Sequence, residues 1–304
     1  MSGTGVHAAR QPVGFGGAQA WFGFALTVPA LVGFVVLILG PFLSSVYFAL
    51  HEYRIESSEP VFVGLRNLET LWRDATFWQA WRTTVVYVAA TTALTAVLGT
   101  LYAIFLNEPF RGRTIIRAAS LLPWVLPSTV TAFLWAWLFH GQYGVVNAFL
   151  MTLGAMQQPF FWLSTSNGAL SAVILAKAWL STPIVMLFVL AALQSLPVEQ
   201  VEAARLDGAG DGAVLRHVVM PHISRTLGIV VVLQAMGNLQ VFDVIYAMTA
   251  GGPVRATTVL SIEVYRRAFE QWNLGMAAAV GLVWFATIAG IAIVYLRMLL
   301  KDNP

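Results

Sequence analysis

The 304-residue sequence lacks cysteine and is poor in charged residues. A chain without cysteine forms no disulfides and offers no thiolate ligands to a metal. Only 10% of its residues are charged and 58% are hydrophobic, whereas soluble domains have roughly 25% charged residues. So few charges do not cover the surface of a water-soluble fold, and the mean hydropathy of +0.74 agrees with this. We therefore expect lipid to be the solvent for much of the protein.

Three further absences limit the function. The net charge is only +3 and the basic residues are scattered, so the sequence gives no sign of nucleic-acid binding. The five histidines are dispersed without metal-ligand spacing, so no metal site is predicted. No Gly-x-x-x-x-Gly-Lys-Ser/Thr phosphate loop is present, so the chain is not expected to hydrolyse ATP.

The sequence contains six apolar stretches, each long enough to provide the roughly 20 residues that cross a bilayer. They cover residues 21–50, 83–106, 115–139, 170–193, 227–250 and 276–299. We predict an all-α polytopic membrane protein with about six transmembrane helices over residues 21–304. Residues 1–20, rich in glycine and alanine, are expected to form a disordered cytoplasmic tail. Prolines within the stretches indicate either kinked helices around a cavity or simple packing irregularity.

The distribution of basic residues favours one orientation weakly. With the N-terminus inside, the inside segments hold nine arginine and lysine residues and the outside segments hold seven. We expect a multi-pass protein of the cell inner membrane with both termini and residues 199–225 in the cytoplasm. Residues 52–73, 142–166 and 252–272 are then outside.

The polar segment between the fourth and fifth stretches, residues 197–221, predicts a short helix-turn-helix. Pro197 and Glu199 suit the first turn of a helix. Gly208 and Gly210 are expected to end this helix, because glycine readily adopts the left-handed conformation found at helix C-termini.

A second short helix is predicted to follow, with Asp211 as its cap and Pro221 as its limit. Its apolar residues share one face; they are Val214, Leu215, Val218 and Val219. A unit of this kind at the membrane surface is suited to docking in a groove of another protein.

Three short motifs of this segment resemble a known family. They are Glu202-Ala203-Ala204, Asp207-Gly208-Ala209 and Met220-Pro221. In this order they resemble the EAA motif of permease subunits from binding-protein-dependent ABC importers. The family usually has leucine where this chain has Met220, and a second proline that this chain lacks near Arg225. The resemblance implies that Glu202, Ala203, Ala204, Asp207, Gly208 and Ala209 couple the permease to an ATP-binding subunit.

Other segments resemble the maltose-type and glycerol-phosphate-type branch of the family. They are Pro123-Trp124-Val125-Leu126-Pro127-Ser128 in the third stretch, Trp179-Leu180-Ser181-Thr182-Pro183 in the fourth, and Phe242-Asp243-Val244-Ile245-Tyr246 and Tyr265-Arg266-Arg267-Ala268-Phe269 near the fifth. The resemblance implies a type I ABC importer permease fold and a translocation subunit for a sugar or oligosaccharide. Glycerol phosphate or another polar solute is the alternative within this class.

The resemblance also implies a set of partners. A second homologous permease subunit would enclose a central cavity with this chain, and two ATP-binding subunits would bind ATP and magnesium. An extracytoplasmic solute-binding protein would deliver the sugar. The chain itself would hold no cofactor and would transmit the work of ATP hydrolysis rather than catalyse it.

Alignment from the EAA motif predicts a substrate cavity. The predicted lining residues are Trp124, Ser128, Lys177, Leu180, Ser181, Ile184, Gly237, Asn238 and Val241. An aromatic face with a few hydrogen-bonding groups suits a pyranose, whose C–H faces stack while its hydroxyls need partners.

Lys177 and Asp243 leave two interpretations open. Charged residues within a membrane usually face a cavity or a partner, because burial in hydrocarbon costs about 2.5–3.5 kcal/mol on insertion scales. Lys177 either lines the cavity or forms an ion pair with Asp243, for which a structural role is expected. A secondary transporter would instead use both as an ion relay, but it would have no use for the EAA segment.

Overall fold

The computed structural model describes residues 17–56 and 59–301. Within these residues the chain is mostly helical, which confirms the all-α prediction. Residues 1–16 of the expected tail lie outside the described residues. The first helix begins at Gly17, within the last four residues of that expected tail.

The helices and strands follow one another along the chain with short connections. The helices are α1 (Gly17–Phe34), α2 (Gly40–Ala49), α3 (Arg66–Trp72), α4 (Ala75–Asn107), α5 (Arg113–Ser120), α6 (Leu122–Val125), α7 (Ser128–Leu138), α8 (Val145–Thr152), α9 (Ser166–Gln194), α10 (Val198–Leu206), α11 (Asp211–Val214), α12 (Met220–Leu239), α13 (Asp243–Thr249), α14 (Leu260–Tyr265) and α15 (Leu274–Lys301). Strands β1 (His51–Glu52) and β2 (Val61–Phe62) form a small antiparallel pair.

Five helical segments in the described part of the chain are long and apolar enough to span a membrane, and one bent pair makes a sixth. The single spans are Trp21–Ala49, Ala75–Asn107, Ser166–Gln194, Asp211–Leu239 and Leu274–Arg297, and the bent pair is Arg113–Val125 with Ser128–Leu138. The expected number of about six spans is therefore confirmed.

Residues 17–47 form a compact unit of their own, and residues from 48 onward form a second. In the first unit α1 and α2 are joined by a π-turn at Val35–Leu39, so they make one apolar helix. Pro41 follows this turn directly. A proline ring clashes with the carbonyl four residues earlier, and a π-turn widens the helix at that point.

The second unit is organised around the pair α4 and α9, with α12 packed against both. The two helices approach closely at Gly99, where a Cβ atom would lie 2.6 Å from Cβ of Val185. Only glycine fits there, as is common where membrane helices cross. Around this contact the core is apolar, with Ala103, Val185 and Val189 fully buried.

Two of the predicted spans are wrong in detail. The third stretch is not one helix, because it breaks between α6 and α7. The fifth was placed at residues 227–250, whereas the membrane-spanning helix ends at Leu239 and a separate helix begins at Asp243.

The expected limit of the second short helix at Pro221 is also wrong. α11 continues through a π-turn at Leu215–Val219 directly into α12, and Pro221 lies near the start of α12. In this turn the Met220 amide donates to the carbonyl of Leu215, five residues earlier. The wider turn accommodates the proline, so the helix emerges from the polar segment without a stop.

The spans of the second unit alternate in direction, so its loops collect at two opposite ends. α10 follows the end of α9 and precedes α12, which places it at one end. The start of α4, the strand pair and residues 250–273 lie at the other, where Arg54 pairs with Asn273 in an antiparallel bridge.

Candidate functional site

The candidate substrate site lies where two spans are interrupted. The third span is bent by 98° at Leu126-Pro127. A residue before proline avoids the helical region, and Leu126 is extended with ψ 139°. The fifth span is interrupted at residues 240–242, between α12 and α13. Interrupted helices of this kind line the substrate sites of many transporters.

A hydrogen bond joins the two interruptions. Ser128 is the first residue of α7 and Asp243 the first of α13, and Ser128 Oγ donates to Asp243 Oδ2. The two helices also pack against each other. A carboxylate is favourable at the start of a helix, because the N–H groups of the first turn carry partial positive charge. Asp243 therefore ties together two half-spans.

Lys177 lies on α9 and is half-buried. Asp243 is the charged group that acts on it electrostatically. Among the described residues, however, no ion pair within 4.0 Å and no hydrogen bond involves Lys177. The direct Lys177–Asp243 ion pair considered from the sequence is thus not formed in this structure, where Ser128 holds the carboxylate.

The predicted cavity residues separate into two sets. The half-buried or exposed set is Trp124, Ser128, Lys177, Ile184 and Gly237, and the buried set is Leu180, Ser181, Asn238 and Val241.

The buried set makes contacts within the chain. The Asn238 amide donates to Thr92 Oγ1 at 3.0 Å, and the carbonyl of Ser181 accepts from Gln234 at 3.1 Å. The carbonyl of Val241 accepts from Ser261. These contacts hold α12 and the residues after it against their neighbours, so the first set is the one that remains accessible.

The chain also has a large apolar cleft of about 810 Å³ between α4, α5, α6, α7 and α9. Its lining includes Leu98, Phe105, Trp135, Trp179 and Pro183 but none of the predicted cavity residues. Ser120 Oγ donates to the Tyr102 hydroxyl at 2.7 Å, which satisfies two of its few polar groups. Because its lining is so apolar, this cleft is better suited to lipid or to another helix than to a sugar.

The predicted coupling segment ends as the glycine cluster indicated. Gly208 has φ +86°, its amide donates to the Arg205 carbonyl, and the Ala209 amide donates to the Ala204 carbonyl at 3.0 Å. This pair of bonds is a Schellman motif, which requires a left-handed residue at the position of Gly208. α10 therefore stops abruptly, and the chain reverses into α11.

α10 has no buried residue. Leu206 is 88% exposed and Val198 is 59% exposed, while Glu202, Ala203 and Asp207 are also at the surface. Arg205 pairs with Asp211 at 3.1 Å across the turn, which fixes α10 relative to α11. A helix that presents apolar and acidic side chains in this way is shaped for a protein partner.

The sequence interpretation missed a buried ion network at the opposite end. Arg267 is 5% exposed and donates to Glu263 at 2.7 Å and to Asp74 at 2.5 Å, and Glu263 also pairs with Arg255. The spacing of four residues between Glu263 and Arg267 could have indicated this network, because side chains four residues apart lie on the same face of a helix.

This network connects the loop before α15 to the start of α4. Burial of Asp74 by itself raises the pKa of its carboxyl, but hydrogen bonds from Arg267 and Thr76 outweigh burial and keep the pKa below its ordinary value. The carboxylate is therefore held in its charged form at the junction.

Several known proteins are similar to this chain over most of its length. The trehalose/maltose transport system permease protein MalF of Thermococcus litoralis is 33% identical over 283 residues, covering 92% of this chain and 94% of the relative. The sulfoquinovosyl glycerol transport system permease protein SmoG of Agrobacterium fabrum is 30% identical over 275 residues, covering 90% of this chain and 89% of the relative.

The fold is also similar to solved structures. A chain of a bacterial ABC transporter involved in the import of the acidic polysaccharide alginate matches with a TM-score of 0.81 and 20% identity, covering 94% of this chain and 98% of that one. This likeness confirms the type I importer permease fold that the motifs implied.

A family described as "Binding-protein-dependent transport system inner membrane component" matches residues 96–303. The match includes α10, the two interrupted spans and three members of the ion network, Arg255, Glu263 and Arg267, whereas Asp74 precedes it. Together with the relatives, it confirms the resemblance carried by the EAA motif. The chain belongs to this family of transport-system membrane components.

Proposed function

We propose that the chain is the translocation subunit of an ATP-driven importer for a sugar or oligosaccharide. The observation that supports this proposal most directly is α10. This exposed helix connects the ends of two spans and has a defined end at Gly208. The relatives named for trehalose/maltose and for sulfoquinovosyl glycerol support the carbohydrate class.

In this proposal α10 docks on an ATP-binding subunit through Glu202, Ala203, Ala204, Asp207, Gly208 and Ala209. The Schellman turn sets the direction in which α10 leaves α11, and the exposed Arg205–Asp211 pair adds a weak second connection. Since α11 continues into α12, movement of α10 reaches the interrupted fifth span directly. ATP and magnesium are held by two such partner subunits.

A second permease subunit and a solute-binding protein complete the proposed importer. A solved structure similar to this chain describes an alginate transporter in complex with a periplasmic protein that carries an alginate pentasaccharide. By analogy, α10 and both termini lie in the cytoplasm, and residues 250–273 face the binding protein. The membrane is the cytoplasmic membrane.

The half-buried or exposed set forms the proposed substrate cavity. Trp124 offers a ring that is 55% exposed, Lys177 offers a donor, and Gly237 leaves open space beside α12. A sugar stacks its C–H face on the ring and donates or accepts hydrogen bonds at the polar groups.

A second candidate substrate class follows from Lys177. Its ammonium has no ion pair among the described residues, so an anionic group on the substrate would find a partner there. This favours glycerol phosphate or an acidic sugar as the alternative cargo.

Reconstitution tests both candidates. The tagged chain is purified from its own membranes with its partners, placed in liposomes and supplied with the cognate binding protein. We expect ATP hydrolysis that depends on co-purified ATP-binding subunits, and ATP-dependent uptake of radiolabelled maltose or trehalose. Uptake of glycerol 3-phosphate or glucuronic acid instead would establish the second candidate.

Liposomes loaded with ADP serve as the control and should show no uptake. Uptake driven by a proton or sodium gradient without ATP would contradict the proposal and identify a secondary transporter.

A further inference from the structure

Four aromatic rings form a continuous series near the interruption of the fifth span. We call this series the ring ladder; it consists of Phe242, Tyr246, Tyr265 and Phe269. The centroid distances are 5.1 Å from Phe242 to Tyr246, 5.0 Å from Tyr246 to Tyr265 and 5.2 Å from Tyr265 to Phe269. Phe242 also contacts Tyr265 at 5.2 Å. Each helical segment supplies two rings at a spacing of four residues, so the two pairs face each other.

The ring ladder runs from the candidate site to the surface. Phe242 is half-buried and directly precedes Asp243, whose carboxylate accepts the hydrogen bond of Ser128. Tyr246 is 37% exposed, and Phe269 at the far end is 60% exposed. Tyr265 and Phe269 lie at the end of the second unit opposite α10, and Phe242 lies at the interruption of the fifth span. The series therefore links the proposed cavity with the side that faces the binding protein.

The rings are held in place from behind. Glu263 and Arg267 lie on the same helical segment as Tyr265 and Phe269, but they are buried in the ion network. Because the charged side of this segment is fixed inside the protein, its aromatic side is directed outward without needing a partner to order it. A core cluster would bury its rings, whereas Tyr246 and Phe269 are exposed here.

We propose that the ring ladder is the path along which sugar rings pass from the binding protein to the cavity at Lys177 and Asp243; this deepens the proposed function and rests on it. Pyranose C–H faces stack on aromatic rings, and the exposed rings of Tyr246 and Phe269 offer stacking positions. The hydroxyls of Tyr246 and Tyr265, 3.4 Å apart, provide hydrogen-bonding groups beside the stack. Repeated weak contacts retain a sugar on the path without trapping it.

The test uses the reconstituted importer and whichever of radiolabelled maltose or trehalose the unaltered complex imports. The measured quantity is sugar imported per ATP hydrolysed. Phe269→Leu and Tyr265→Leu should each lower it about 2- to 10-fold, the factor that corresponds to an aromatic contact. Phe269→Trp, which keeps a ring, should preserve it, and basal ATP hydrolysis should be unchanged in all variants.

Phe62→Leu is the matched control, because Phe62 is 69% exposed at the same end but outside the ring ladder. An unchanged ratio in Phe269→Leu, or an equal loss in Phe62→Leu, would overturn the proposal. A lower yield of assembled permease pairs with a normal ratio in the remaining complexes would also overturn it, since the rings would then form a subunit contact. Absence of uptake by the unaltered complex is a different result, which refutes the proposed function itself.

Discussion

The two ends of the second unit differ in how they are held together. At one end α10 buries no residue, and an exposed ion pair between Arg205 and Asp211 connects it to α11. At the other end, Glu263 and Arg267 are 1% and 5% exposed and tie the loop to the start of α4. A segment with buried, paired charges is held in its folded conformation by contacts within the chain. A segment with exposed apolar residues is suited to bind a partner. We therefore expect mutations in the ion network to damage folding and mutations in α10 to damage coupling.

The largest effect is expected from Glu263→Gln. The change keeps the volume of the side chain but leaves Arg267 and Arg255 without their shared carboxylate. Loss of one member of a buried ion pair costs about 3–5 kcal/mol, so the free energy of unfolding should fall by that amount. Thermal unfolding of the purified protein in detergent measures it.

Asp211→Asn at the exposed pair is the control for this comparison. An exposed ion pair contributes no more than about 1 kcal/mol, so this variant should unfold near the temperature of the unaltered protein. Equal stability of the two variants would show that the two ends do not differ as described.

Gly208→Val should abolish import while leaving the protein folded and inserted. Gly208 has φ +86°, which a β-branched residue strongly disfavours, although no neighbour lies within 4 Å of a Cβ there. The expected consequence is a displaced end of α10 and loss of ATP-driven uptake. Gly210→Val is the matched control, since Gly210 is extended with φ −73° and equally unobstructed, and it should import normally. Normal import by Gly208→Val would refute the coupling role of α10.

The region between the two ends is expected to show intermediate effects. Ser128→Ala removes the hydrogen bond to Asp243 and should lower the free energy of unfolding by about 1.5–3 kcal/mol, the usual range for a bond to a charged group.

Lys177→Ala should leave stability nearly unchanged and weaken uptake, because no ion pair within the described residues is lost. A double-mutant cycle with Asp243→Asn, read by unfolding and by uptake, measures the coupling. A large coupling energy between Lys177 and Asp243 in the unfolding measurements would instead support a direct ion pair between them.

The smallest effect on transport is expected from single-cysteine substitutions, which should allow labelling without altering uptake. The native chain has none, so Tyr143→Cys and Gly210→Cys are unambiguous probes. Tyr143 is 61% exposed and should react with an impermeant thiol reagent in intact cells, whereas Gly210→Cys should react only after the membrane is opened. The reverse pattern would exchange the two sides and contradict the proposed orientation.

Several features of the fold were predictable because they depend on local composition. Uninterrupted apolar stretches located the spans, since hydrocarbon admits few charges. The stop of α10 at Gly208 was predictable because only glycine adopts its conformation readily. The placement of residues around the proposed cavity stays a prediction, although the structure brings Ser128 and Asp243 together.

Other features depended on contacts that the sequence does not display. The continuation of α11 into α12 past Pro221 was not predicted, because proline usually ends a helix and the π-turn at Leu215–Val219 removes its clash. The break in the third span falls at Pro127, where a kinked helix was one of the two interpretations left open. The break in the fifth span was not predicted, because no proline marks it.

The sequence by itself determined that this chain lies in a membrane, that it spans about six times and that α10 ends at Gly208. Each of these follows from residue type and spacing within a single element. Tertiary structure alone decided which polar residues face one another. Ser128 meets Asp243 across 115 positions and Arg267 meets Asp74 across 193, and such pairs form only when helices distant in sequence pack side by side.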